Sequence, residues 1–94
     1  MNIKKVINHI HKSFENWIVS ENLSEYKKDL DFIVRETKDE DCIIEICFES
    51  MLHDLINDDV GYFDHEEAEK IFGLSEYDWS PYASWKINIH GLAD

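Results

Sequence analysis

Basic residues are scarce in this chain, and glycine and proline are scarcer. Of 94 residues, nine are Lys or Arg, three are Gly and one is Pro. Three glycines could hardly build a P-loop or a dinucleotide-binding loop, and no GxSxG elbow is present. A single proline leaves no flexible linker, so the chain reads as one domain over 1–94. The only cysteines, Cys42 and Cys47, form no CxxC pair, which indicates neither a zinc site nor a thioredoxin-like motif. On a strand their spacing sends them to opposite faces and away from a mutual disulfide, so reduced thiols and a cytoplasmic location are expected. No apolar run approaches the ~18 residues that span a bilayer, and the opening MNIKKVINHIHKSFENW lacks a signal peptide's unbroken apolar core.

Acid is what the chain has in excess. The net charge is −12, and it is placed unevenly. Residues 1–38 carry seven Lys or Arg against six Asp or Glu, whereas 39–94 carry two (Lys70 and Lys86) against fifteen. Such a field repels nucleic acid and anionic membranes and speeds encounter with a basic protein. A hydrophobic share of 44% and an aromatic share of 13% support a globular domain over a disordered one.

Periodicity supplies the elements. Ile3, Val6, Ile7, Ile10, Phe14, Trp17 and Ile18 fall on one face of a helix over 3–19, with Lys4, Lys5, Asn8, His11, Lys12 and Glu15 opposite. The runs DFIVRET (31–37) and CIIEICFES (42–50) are rich in β-branched and aromatic residues and flank the charged connector KDED, which reads as a hairpin. In the second run Ile44, Ile46 and Phe48 share one face, while Glu45, Cys47 and Glu49 share the other. A face with two carboxylates is wet, so the sheet is antiparallel and covered on one side only. The segment 51–58 suits either a short helix or a third strand turning at Asp58–Gly61, and strand is the preferred reading. Asp64 can cap a helix that Gly73 stops, with Glu67 three residues after the cap. ASWKINIHG alternates Trp85, Ile87 and Ile89 with Lys86, Asn88 and His90, a half-buried last strand over 84–90. The expected architecture is α+β: an N-terminal amphipathic helix packed on one face of a three- to four-stranded antiparallel sheet, with a short second helix.

Catalytic and metal chemistry find little support. Setting Gly61 at the invariant glycine of an EF-hand loop puts Ile56 at the first ligand position, where an oxygen is required. His9 and His11 point away from each other on a helix, and His53, His65 and His90 share no motif. A carboxylate pair for hydrolysis, or Cys47 beside His53 as a nucleophile pair, would need a substrate cleft that a small single-layer domain rarely offers. No catalytic residue, metal ligand or cofactor is assigned.

Partner recognition has more behind it. NDDVGYFDHEEAE (57–69) holds six carboxylates and no Lys or Arg. Farther along, LSEYDWSPYASW (74–85) gathers Tyr77, Trp79, Tyr82 and Trp85 around Pro81. Trp85 opens the last strand and reads as core, with Tyr82 a candidate for the same, whereas Tyr77 and Trp79 lie in an irregular stretch and read as partly exposed. Aromatic anchors beside carboxylates suit a binder of Arg- and Lys-rich protein. The candidate partner-binding residues are Asp58, Asp59, Tyr62, Asp64, Glu66, Glu67, Glu69, Glu76, Tyr77, Asp78 and Trp79.

In these features (the acidic segment 39–94, NDDVGYFDHEEAE and SEYDWSPYASW) the chain resembles the small acidic immunity proteins of bacterial toxin systems, of the colicin and contact-dependent growth-inhibition kind. The resemblance is one of character and carries no motif. It implies a cytoplasmic inhibitor whose carboxylates block a basic nuclease toxin, with no direct contact to nucleic acid or membrane. A phage nucleic-acid mimic, such as an anti-CRISPR or anti-restriction protein, shares the physics, and a small hydrolase or metal-binding protein is a third reading.

Overall fold

The computed structural model describes residues 3–38, 43–57, 63–83 and 85–90. The expected α+β architecture is present: helices cover one face of a four-stranded antiparallel sheet. The first helix, α1 (Ile3–Ser20), buries Val6, Ile10, Phe14, Trp17 and Ile18, the stripe its periodicity defines. Its end is set by Asn22, which takes a left-handed φ of 56° while Leu23 N–H closes back on Ile18 O at 2.9 Å. Asn tolerates that conformation because its short polar side chain can bond locally, so it serves here where glycine is commoner.

A 3-10 turn (Ser24–Tyr26) leads through the buried Leu30 into β1 (Phe32–Glu36), which pairs with β2 (Ile44–Phe48). The charged connector between them lies largely outside the described residues. On β2 the inner residues Ile44, Ile46 and Phe48 are buried, while Glu45 and Cys47 face outward as expected. The reading of 51–58 as strand is corrected. Ser50–Ile56 forms a helix, α2, because Leu52 and Ile56, one turn apart, are both fully buried. An extended run would put Asp54 on the same face as Leu52 and Ile56, yet Asp54 between them is exposed, as a helix requires. The turn expected at Asp58–Gly61 lies outside the described residues.

The helix α3 (His65–Phe72) has the boundaries its punctuation predicts. Glu67 N–H donates to Asp64 Oδ1 at 3.0 Å, and Gly73 ends the helix at φ 64°. Gly73 also lies against α1: a Cβ there would fall 2.7 Å from Ser13 Oγ and 2.8 Å from His9 Nε2. In the free space, His9 Nε2–H donates to Gly73 O at 2.8 Å. Thus α1 and α3 lie side by side over the sheet, and Phe72 reaches Phe32 and Phe48 of the strands beneath.

One strand was not foreseen. Trp79–Ala83 forms β3, at the edge of a sheet ordered β1-β2-β4-β3, where β4 is Lys86–Ile89. Pro81 disguises it, since a proline in a run argues against a central strand, but an edge accommodates it with a register shift between Pro81 and Ala83. Ile44, Ile46, Ile87 and Ile89 are buried together with Ile10 and Phe14, as expected. Trp85 and Tyr82 are corrected: Trp85 is 51% exposed and Tyr82 68%. Trp85 sits at the β3–β4 turn and stacks one ring face on His53 of α2 at 3.9 Å, leaving the rest of the ring in solvent. Tyr82 lies at the bulge of the edge strand and turns to the uncovered face of the sheet, where Lys86 Nζ stands 6.0 Å from its ring centroid.

Candidate partner-binding corner

The acidic and aromatic residues converge where α3 meets β3. Trp79 begins β3 on the side that faces the helices, opposite Ile89 of the next strand. It is only half-buried, because this is the sheet's edge. Its Nε1–H donates to Glu69 Oε1 at 3.3 Å. The ring of His65 meets it edge-on at 5.0 Å between centroids, and Phe63 stands 6.1 Å away. A tryptophan is thereby fixed on three sides by α3 and its approach. Trp79 is also steadied from the sheet, where His90 N–H donates to Asp78 O at 2.8 Å and Ser80 bonds His90 Nε2 at 2.7 Å.

Glu69 is the carboxylate that touches this tryptophan, and five more lie close to it along the chain. Glu66, Glu76, Asp64 and Asp78 are exposed, while Glu67 and Glu69 are half-buried. An open groove of about 320 Å³ runs past Glu66, Glu69, Lys70 and Ser75. Lys70 also walls a larger open groove, about 450 Å³, shared with Ser13, Asn16, Trp17, Ser20 and Glu21 on the α1 side. The ion pairs among the described residues join Glu15 to Lys27, Glu45 to Arg35 and Lys86, and His53 to Asp54. None involves the six carboxylates of 64–78.

Not every sequence candidate joins this surface. Tyr77 turns towards α1, meeting the His9 ring edge-on at 5.6 Å, and packs against the core. Burial, with the charge of Glu76 beside it, holds its phenol above the ordinary value. Tyr77 therefore supports the corner from below. Asp64 is occupied as the α3 cap. Asp58, Asp59 and Tyr62 lie outside the described residues. Sequence reasoning missed Phe63 and His65 as companions of Trp79. Their place between carboxylates was visible, but their contact with Trp79 depends on β3 folding back along α3.

Chemically the corner can accept hydrogen bonds and positive charge. Half-exposed Trp79 offers an indole for apolar or cation–π contact, flanked by acceptors for Arg or Lys. Among the described residues, no three His, Cys, Asp or Glu side chains converge as metal ligands would, and no helix is long and apolar enough to cross a membrane. Comparison with family models, curated proteins and solved structures finds no match, so the corner is read from its own chemistry.

Proposed function

We propose that this chain is a non-enzymatic inhibitor that acts in the cytoplasm by binding a basic protein, a nuclease-type toxin domain being the partner its chemistry suits best. The observation that carries the reading is the corner: six carboxylates on α3, its cap and the α3–β3 connection, none in an ion pair among the described residues, one of them bonded to a half-exposed tryptophan. Unpaired acids of one sign repel one another, and a surface of Arg and Lys relieves that repulsion on binding. Fixing them on a capped helix lowers the ordering cost of the complex. The indole supplies the desolvated anchor that charged contacts alone lack. A nucleic-acid mimic would need carboxylates spread at phosphate-like intervals over a wide face. Here the acids gather on one eight-residue helix and the turn after it, which favours a compact protein site.

The test is direct titration against purified basic nuclease toxin domains, reading nuclease activity together with stopped-flow association. Stoichiometric loss of nuclease activity is expected, with an association rate that falls at least about tenfold from low to high salt, as electrostatic steering does. A salt-independent rate, with the E66Q/E76Q/D78N variant associating like wild type, would overturn the proposal.

A further inference from the structure

The sheet ends in two edge strands, and they are protected unequally. The β3 edge carries Pro81, a register shift and the acidic corner, devices that discourage another strand from pairing. The β1 edge carries none of these: Phe32–Glu36 runs in unbroken register with β2.

Its open backbone groups can be identified. Glu49 N–H donates to Asp31 O at 3.0 Å and Thr37 N–H to Ile43 O at 2.8 Å, so the odd-numbered residues of this stretch bond to β2. By alternation, Phe32, Val34 and Glu36 point their N–H and C=O groups out of the sheet. Phe32 N–H is already taken by Asp31 Oδ1 at 2.9 Å. Nothing among the described residues bonds to the N–H groups of Val34 and Glu36. Beside them Ile33 stands 52% exposed on the uncovered sheet face.

Charge narrows what can dock there. Residues 23–38 carry four cations (Lys27, Lys28, Arg35 and Lys38) against four carboxylates (Glu25, Asp29, Asp31 and Glu36), a net of zero. Two copies of a chain with net charge −12 repel over most of their surfaces. They can approach along this neutral edge.

We propose that β1 pairs antiparallel with β1 of a second copy across a two-fold axis through Val34, joining two four-stranded sheets into one. The open groups select this register. Val34 N–H meets Val34 O of the second copy, and Glu36 N–H meets Phe32 O, each bond made twice by symmetry, while the Asp31 cap on Phe32 is left undisturbed. Sliding by two residues one way brings Arg35 against Arg35 of the second copy. Sliding the other way brings Glu36 against Leu30, whose backbone is turned, with its N–H bonded to Tyr26 O at 3.1 Å. In the chosen register Ile33 lies opposite Arg35 of the second copy, whose aliphatic stem covers it while the guanidinium keeps its own Glu45. A single strand pair buries less than the roughly 1,200 Å² of a stable interface, so the dimer is weak. It stands apart from the acidic corner, which lies at the other edge.

Sedimentation of the full chain from about 10 µM to about 500 µM, at physiological salt, tests this in the concentration range where weak interfaces assemble. Wild type is expected to pass from monomer to dimer across that range. Ile33→Lys sets an ammonium against Arg35 of the second copy and should weaken association at least about tenfold, since opposed like charges are unfavourable across strands. Ile33→Glu sets a carboxylate there and should dimerise as well as wild type or better. Ile33 is exposed, so neither change threatens the fold, and circular dichroism verifies it. A wild type that stays monomeric throughout overturns the proposal, as does a dimer indifferent to Ile33→Lys. Loss of the dimer in both variants would put Ile33 against itself and overturns the register.

Discussion

Glu45 and Glu69 are both half-buried carboxylates, and they are treated differently. Glu45, on the uncovered face of the sheet, is held by Arg35 Nη2 at 2.8 Å and Lys86 Nζ at 3.6 Å, and Cys47 Sγ lies 3.3 Å away. Partial burial pushes its carboxyl up, but the Cys47 hydrogen bond and the charges of Lys86 and Arg35 outweigh that and leave it below the ordinary value. Glu69 has the indole N–H of Trp79 and no cation. Its neighbours Glu66, Glu67, Glu76 and Asp78 have no cation either among the described residues. One of the two basic residues in 39–94, Lys86, is placed to neutralise the sheet face, while Lys70 stands beside the acidic groove without an ion pair. The fold neutralises acid where a sheet must be stable and leaves it unpaired at the α3–β3 corner.

Both regions rest on one core, so the largest expected effect removes the platform under both. Phe14, 5% exposed, packs edge-on against Phe32 and beside Trp17. Phe14→Ala should cost about 3–5 kcal/mol of stability in denaturant titration. A loss below about 1 kcal/mol would mean that α1 is not seated by that ring.

Next in size is the tryptophan that separates the corner from a mere charge patch. Trp79→Ala should speed dissociation of the basic partner, weakening binding by about 2 kcal/mol or more if the indole is the anchor. Partner dissociation at wild-type speed would reduce the corner to electrostatics alone.

On the sheet face the comparison predicts a stability effect and no binding effect. Glu45→Gln leaves Arg35 and Lys86 without their carboxylate and should cost about 1 kcal/mol at neutral pH, the scale of a partly exposed charge-assisted bond. A carboxyl depressed by folding stabilises the fold above its unfolded value, and that contribution is lost as pH falls through the folded value. The gap between wild type and Glu45→Gln in thermal melts should therefore close as the solution is acidified below the ordinary carboxylate range. A gap constant with pH would show that Glu45 acts by packing rather than charge.

Legibility in the sequence followed how local the physics is. The α1 stripe and the α3 cap and stop depend on residues within one or two turns of each other, and all were readable. The alternation of β2 and β4 was equally plain, as were their buried isoleucines. The helix at Ser50–Ile56 was missed because a seven-residue apolar run carries nearly the same signal for strand and helix. The edge strand Trp79–Ala83 was hidden by Pro81, and with it went the exposure of Tyr82, which turns to the uncovered sheet face, and of Trp85, which sits at the turn against His53. At the corner the acids and Trp79 were visible in the sequence. That Glu69, His65 and Phe63 would enclose Trp79, while Tyr77 turned to His9, required the β3 register.

The smallest expected effect bears most closely on the comparison. Asp64 is needed as a cap, and the positive end of the α3 dipole favours Glu66 and Glu67 in its first turn. Glu76 and Asp78, beyond the helix, have no such role. They are exposed, carry no ion pair among the described residues and sit in a field of like charge. Neutralising both, as Glu76→Gln with Asp78→Asn, should change stability by no more than about 0.5 kcal/mol, with any change tending upward as repulsion is relieved. The same double variant should slow association with a basic partner and flatten its salt dependence, because steering acts over about 8 Å at physiological ionic strength and these two carboxylates face outward. Denaturant titration paired with stopped-flow association on one sample decides it. A stability loss above about 1 kcal/mol would show that Glu76 and Asp78 hold the α3–β3 connection in place, and the contrast with Glu45 would then collapse.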